Sequence, residues 1–131
     1  EGSRQKGEEI MPKYLKLEKY GRVIQITLQI RSYQNGNLAI QLLDWDAGYP
    51  ELWNTLTVNL SRRCEKDCAF IDTNNNGDNI LPWLIRHGLG VPTGVLARSG
   101  YCVYPEFRFR DSALKEADPE GYETYLLQYT A

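Results

Sequence analysis

The chain has little of what bond-making sites use. A single histidine, His87, occurs among 131 residues, so a Ser–His or Cys–His pair has one imidazole available. His87 stands just before Gly88 at the predicted end of a helix, where histidine also interacts favourably with the helix dipole. No Gly-x-Ser-x-Gly turn occurs, and the glycines from 88 to 94 follow that helix, whereas a phosphate loop precedes one. We therefore expect a protein that is not an enzyme and has no catalytic residues.

Long hydrophobic runs are also missing. A helix across a membrane needs about 20 consecutive apolar residues, so no membrane association is expected. Three cysteines, Cys64, Cys68 and Cys102, are an odd number and follow no secretory signal, which indicates free thiols in a cytoplasmic protein. Residues 1–10 (EGSRQKGEEI) are interpreted as a disordered, vector-derived tail, and residues 11–131 as a single α+β domain.

Two groups of residues could in principle hold a metal, and neither satisfies its template. In DTNNNGD, Asp72 to Asp78, oxygen-bearing side chains alternate and Gly77 stands at the turn, as in a calcium loop, but Trp83 occupies the position of the bidentate glutamate. The cysteines and His87 lack the paired spacing of a structural zinc site. We expect no metal and no cofactor, and interpret DTNNNGD as a polar connection from a strand to a capped helix.

Alternating hydrophobic residues predict the first part of a β-sheet. Residues 23–31 (VIQITLQIR) alternate strictly, as in a half-buried strand. Asn-Gly within residues 34–37 can adopt the positive φ values of a two-residue turn, so the chain should reverse there into a strand over 38–43. Residues 14–20 alternate as well, and Gly21 separates them from the next strand. The pattern predicts an antiparallel meander.

Later segments predict further strands and a loop. Residues 52–60 (LWNTLTVNL) alternate as one strand, and residues 69–72 (AFID) form a short apolar strand. Residues 90–100 are rich in glycine and proline and are interpreted as a loop. Pro105 interrupts the strand after that loop, which favours an edge or a bulge at its position.

Two helices complete the predicted fold. One is expected at about residues 79–87, capped by Asp78 or Asn79, and the other at about 119–129, behind Asp118 and with tyrosines on one side. The fold class is therefore α+β, with an antiparallel β-sheet of about five to seven strands packed with one or two α-helices. The sheet includes the Asn-Gly hairpin at 34–37.

Charge is unevenly distributed although the net charge is only −2. Residues 33–60 contain carboxylates and no Lys or Arg, and aromatic rings lie among them. A partner-binding face is predicted there, made of Asp44, Trp45, Asp46, Tyr49, Glu51 and Trp53. Its carboxylates would steer the chain toward a basic protein, and its rings would supply buried area.

An alternative face would contact the phosphates of nucleic acid. It consists of five basic residues on the first two predicted strands: Lys13, Lys16, Lys19, Arg22 and Arg31. The negative net charge argues against strong binding to a duplex, because phosphate neutralisation needs a basic surface. The sequence leaves direct nucleic-acid binding and the oligomeric state open.

Several motifs occur together between Leu38 and Phe109: LAIQLLD (38–44), LTVNL (56–60), CAFIDTNNNG (68–77) and SGYCVYPEFRF (99–109). With them the chain resembles a family of small domains of unknown function encoded on conjugative elements, plasmids and phages of gut bacteria. Some similar proteins are anti-CRISPR or anti-restriction factors, which act stoichiometrically by occupying a host nuclease. The resemblance provides no active-site residues to transfer.

The resemblance implies a non-enzymatic protein of a bacterial mobile genetic element that binds and inhibits a host defence nuclease. The partner would then be a host protein such as an RNA-guided nuclease. The alternative function is a nucleic-acid-binding accessory protein of conjugation or plasmid maintenance.

Overall fold

The computed structural model describes residues 13–131, and the expectation of a disordered tail over residues 1–10 lies outside them. The described part has eight strands: β1 (Leu15–Lys19), β2 (Arg22–Ser32), β3 (Leu38–Asp44), β4 (Glu51–Thr55), β5 (Thr57–Val58), β6 (Cys68–Ile71), β7 (Gly90–Ser99) and β8 (Cys102–Phe109). It also has four helices: α1 (Thr73–Asn76), α2 (Ile80–Arg86), α3 (Asp111–Ala117) and α4 (Pro119–Tyr129). The predicted α+β class is confirmed.

The strands form two antiparallel sheets, not a single sheet of five to seven strands. The first sheet has the order β1-β2-β3-β4, and the second has the order β5-β6-β8-β7. The predicted strand over 52–60 divides between the two sheets at Leu56. Leu56 N–H donates to Ile40 O of β3, and Leu56 O accepts from Asp72 N–H just after β6. One fully buried residue therefore bonds to both sheets, and the chain crosses between them there.

The predicted meander is confirmed, but its two turns differ in type. The β2–β3 hairpin closes through a loop in which Gly36 N–H donates to Tyr33 O, and Gly36 is the one residue of loop 33–37 with a positive φ. The β1–β2 turn consists of Tyr20 and Gly21, with φ values of 52° and 74°. Positive φ at both central residues is the type I′ geometry that matches strand twist. A tyrosine thus occupies a position that usually suits asparagine or glycine.

The second sheet contains a strand that was not predicted, because its residues are rich in glycine and proline. Residues 90–99 form β7, where a loop was predicted, and β7 pairs with β8 on both sides of an irregularity between Pro92 and Leu96. The irregularity accommodates Gly94, and Pro105 of β8 pairs with Leu96 at its end. β8 lies between β6 and β7. Pro105 therefore lies at the end of the β7 irregularity, and because β6 pairs with β8 only from Glu106 to Arg108, β8 has one paired neighbour at Pro105, in keeping with the predicted edge or bulge.

Helices α2 and α4 confirm the two predicted helices. Asp118 caps α4, as expected, whereas Asn79 at the start of α2 makes no side-chain cap bond. Helix α3 was not predicted, because its seven residues bury only Ala113 and Leu114, too few to show a period. None of the helices within residues 13–131 combines the length and apolarity needed to cross a membrane.

The main core lies between the inner faces of the sheets and helices α2 to α4. The isoleucines and leucines of β2 and β3 meet Trp83 and Leu84 of α2, Leu114 of α3 and Tyr125 of α4 there. Helix α4 also covers part of β2. β1 pairs with β2 only as far as Ile26, and beyond that point Ile30 N–H donates to the Asp118 carboxylate at 2.9 Å. The side chain that caps α4 thus replaces a missing strand partner.

Candidate functional site

The acidic and aromatic residues predicted as a partner-binding face surround the loop between β3 and β4. Trp45 fastens this loop to the outer face of the first sheet. Its backbone N–H donates to Gln25 O at 3.0 Å, and its Nε1 donates to Thr27 Oγ1 at 2.8 Å. Tyr14 packs edge-on against the indole, with ring centroids 5.7 Å apart. Trp45 is therefore half-buried and acts as an anchor of the loop.

Two of the three carboxylates also hold the loop in place. Asp44 accepts the backbone N–H of Asp46 at 2.8 Å, which closes an Asx turn. Asp46 accepts from Arg22 at 3.1 Å and from the backbone N–H of Gln25 at 3.4 Å. The Arg22 to Asp46 ion pair neutralises one charge of the predicted acidic face. The structure thus gives these two aspartates local partners, which the sequence did not indicate.

Large or charged side chains are exposed at Tyr49 of the loop and at Glu51 and Leu52, the first two residues of β4. Tyr49 and Leu52 expose 58% and 59% of their surface, and Glu51 is exposed beside them. Leu52 was not among the predicted site residues. Its exposure comes from a bulge: Leu52 pairs with Leu43, but Asn54 pairs with the buried Leu42, so the alternation of faces changes between them. No local sequence signal marks this change.

Trp53, the extra residue of that bulge, turns away from the other five. It packs against the main core and lines an open groove of about 570 Å³ between β1, β4 and the segment from α1 to α2. Other side chains on this groove are Lys19, Tyr20, Asn54, Asn79 and Arg86. The structure therefore brings five predicted residues together at one loop and places the sixth on another surface.

The five basic residues proposed for nucleic acid do not form one row. Lys13 pairs with Glu116 of α3 at 3.2 Å, and Arg22 pairs with the loop aspartate described above. Lys19 donates to Asn76 O at 3.2 Å. Lys16 and Arg31 are exposed on the sheet. Within β1, Lys16 and Lys19 lie about 10 Å apart along the strand, given a rise of about 3.3 Å per residue.

The stretch DTNNNGD forms the one-turn helix α1 and its cap. Asp72 accepts from the backbone N–H of Asn75 at 3.1 Å and from its side-chain amide at 2.8 Å. The Asn76 amide donates to Thr55 O and Asp72 O, which ties the turn to β4. Within residues 13–131, no three His, Cys, Asp or Glu side chains are grouped so as to hold a metal ion. The aspartate is thus used as a helix cap.

Two of the three cysteines, Cys64 and Cys68, and the histidine pack against neighbouring side chains. Cys64 and Cys68 belong to a small second core with Phe70, on the outer side of the second sheet. Burial raises the pKa of the Cys64 thiol, and it raises that of Cys68 to about 11. Both thiols are therefore protonated at neutral pH and are poor nucleophiles. The His87 ring packs against the Trp83 ring, with centroids 4.8 Å apart.

In a comparison with protein families, the model of the domain of unknown function DUF4313 matches residues 27–129. No curated protein and no solved structure matches the chain. The matched range begins within β2 and includes every strand and helix after it, up to the end of α4 at Tyr129. The chain belongs to the DUF4313 family, and its resemblance to a family of domains of unknown function is confirmed.

Proposed function

We propose that this protein is a non-enzymatic binding protein of bacterial mobile genetic elements that inhibits a host defence nuclease in the cytoplasm. It would dock on a basic surface of the nuclease through the β3–β4 loop. The nature of the partner rests on the resemblance of residues 38–109 to domains of mobile elements. The docking surface rests on Tyr49 of the loop and on Glu51 and Leu52 of β4, whose side chains are exposed although hydrogen bonds hold the loop backbone.

Pre-organisation is the observation that carries the proposal. A loop that orders only on binding loses affinity, because the conformational entropy is lost at that moment. Here the bonds of Trp45, Asp44 and Asp46 hold the backbone in the free protein. Tyr49 and Leu52 can therefore be buried by a partner with little further ordering. Aromatic side chains such as Tyr49 are enriched among the residues that contribute most to binding at interface centres.

Charge complementarity favours a basic partner. Three carboxylates lie between residues 44 and 51, and Arg22 neutralises one of them. Glu51 is exposed and lies opposite Asp44 in the pairing of β3 with β4. Such a surface accelerates association with a positively charged groove, and added salt weakens the effect.

The test is inhibition of a purified nuclease in vitro and of phage restriction in cells. RNA-guided nucleases and restriction enzymes are incubated with the protein, and DNA cleavage is measured at increasing ratios of protein to enzyme. We expect inhibition to saturate near a one-to-one ratio with at least one of them. The triple variant Tyr49→Ala, Glu51→Gln, Leu52→Ser should lose it.

The matched control carries the same three kinds of substitution at exposed positions away from the loop: Tyr101→Ala, Glu123→Gln and Leu127→Ser. The control should inhibit like the unmodified protein. If the loop variant is folded and still inhibits fully, the docking surface is wrong. If no nuclease of either class is inhibited, the proposed function is wrong.

A further inference from the structure

We propose that the groove lined by Trp53 binds a nucleobase together with its phosphate, either in single-stranded nucleic acid or as a free nucleotide. This inference is independent of the docking loop and of its partner. The groove volume of about 570 Å³ lies within the range of about 300–1,000 Å³ that is usual for small-ligand sites. One nucleotide unit therefore fits it.

Aromatic rings stand on two walls of the groove. Trp53 is the extra residue of the β4 bulge, and bulges often redirect a side chain next to a functional site. Tyr20, on the β1–β2 turn, exposes 86% of its surface and holds a φ of 52°. A bulky residue in the left-handed region is strained, and such strain concentrates at binding sites. These two rings offer faces on which a base can stack.

The charged side chains on the groove favour an anion. Lys19 and Arg86 line it, and Glu18 is the one carboxylate among the described residues that do so. The Lys19 ammonium lies 5.7 Å from the centroid of the Tyr20 ring. A phosphate bound there would be next to a base stacked on that ring. Arg86 lies in the last turn of α2 and is exposed across the groove.

Asparagine amides supply the remaining polar groups. Asn54 and Asn75 lie on the groove beside Trp53, and Asn79 lines the side formed by the start of α2. Because Asn79 makes no cap bond, its amide can donate to and accept from the edge of a base. Stacking rings, cations and amides in one groove are the combination by which proteins bind single strands. The polar stretch before α2 thus contributes to a recognition surface.

The probe is a fluorescein-labelled single-stranded decanucleotide, measured by fluorescence polarisation with the full chain at about 50 mM salt and at higher salt. A duplex of the same sequence and free AMP are used as competitors. We expect the single strand to bind, with an affinity that falls as salt rises. Competition by AMP assigns the site to a mononucleotide, and binding of the strand without competition by AMP assigns it to a polynucleotide. Both outcomes support the proposal.

Charge-matched variants locate the site. Lys19→Gln with Arg86→Gln should weaken binding and reduce the slope of log K against log salt by about 0.7 for each lost phosphate contact. The control, Lys16→Gln with Arg31→Gln, removes the same charge from cations that do not line the groove. Tyr20→Asn removes the exposed ring while tolerating the positive φ, and we expect about ten-fold weaker binding.

Circular dichroism and thermal unfolding of each variant show whether it is folded. Since Tyr20→Asn changes an exposed turn residue, it tests the groove even if the double variant does not fold. Absence of strand binding at low salt, together with no rise in the melting temperature of the unmodified protein when AMP is added, would overturn the proposal. Equal losses in the groove variant and in its control would overturn it too, because binding would then follow net charge alone.

Discussion

Asp118 connects the start of α4 to the middle of β2, and its replacement tests how the helix is attached to the sheet. One carboxylate oxygen accepts from Gly121 N–H at 3.0 Å and caps the helix. The other accepts from Ile30 N–H at 2.9 Å, at a level of β2 that β1 does not reach. Asp118→Ala removes both acceptors while leaving the apolar contacts between α4 and β2 in place.

The expected loss of stability has two parts. Replacing an aspartate N-cap by alanine costs about 1 kcal/mol. Ile30 is almost fully buried, and a buried N–H without an acceptor costs about 1–3 kcal/mol. The free energy of unfolding should therefore fall by about 2–4 kcal/mol. Asp118→Asn should lose roughly half of that, because its one carbonyl oxygen can replace only one of the two acceptors.

Urea unfolding, followed by tryptophan fluorescence and circular dichroism, measures these differences. Glu123→Ala, which removes an exposed carboxylate from the same helix, is the control and should change stability by less than about 0.5 kcal/mol. The slope m should stay unchanged, because the area exposed on unfolding is the same. A loss below about 1 kcal/mol for Asp118→Ala, or a loss equal to that of the control, would refute the reasoning.

Three further predictions concern stability. Gly121→Ala should destabilise the protein by about 1–3 kcal/mol in urea unfolding, because a Cβ there would lie 2.5 Å from Ile30 O. A gain in stability, as expected for this substitution in an exposed helix, would contradict the close packing. Burial and the hydrogen bond to Asp67 raise the pKa of Tyr122 above its usual 10.0, so its stabilisation is present below pH 10 and is lost as the pH rises through the raised value. Unfolding free energies from pH 8 to 11 should fall, less steeply in Tyr122→Phe, and a flat profile would contradict this. Tyr20→Gly should raise the melting temperature, because glycine adopts a positive φ without the cost of about 1 kcal/mol that tyrosine incurs. A melting temperature below that of the unmodified protein would show that no strain is stored there.

The two proposed surfaces share strand β4. Leu52 faces solvent beside the docking loop, and Trp53, the next residue, faces the groove. Substitutions at either residue therefore test one surface at a time. The position of the bulge also means that insertion or deletion of one residue in β4 would exchange the two faces, because side chains alternate with a period of two.

Much of the fold could be predicted from local sequence patterns. Strict alternation marked β1 and β2, and the Asn-Gly pair marked the hairpin to β3. Asp-Pro followed by tyrosines at helical spacing marked α4. In each case the hydrophobic period and the turn or cap residue agree, so local preference and tertiary packing favour the same structure.

Strand β7 shows where local pattern fails. Its glycines and proline are typical of a loop, yet seven of its ten residues pair with β8, Gly90 and Pro92 among them, and the irregularity takes only residues 93–95, including Gly94, out of the ladder. Whether such a segment forms a strand depends on the partner strand beside it, which is distant in sequence. The formation of α3 and β5 depends on distant neighbours in the same way. Short elements of this kind carry too few residues to show a period.

The candidate surfaces, like the fold, could be predicted from the sequence only in part. The sequence by itself determined that carboxylates and aromatic rings gather between residues 44 and 53, because that is a matter of composition along the chain. Only the tertiary structure decided that Asp44 and Asp46 hold the loop, that Leu52 is exposed and that Trp53 faces a groove with Tyr20 and Arg86. The physical reason is that hydrogen-bond partners and a strand's alternation of faces depend on neighbours distant in sequence, which a bulge or a crossing between sheets can change.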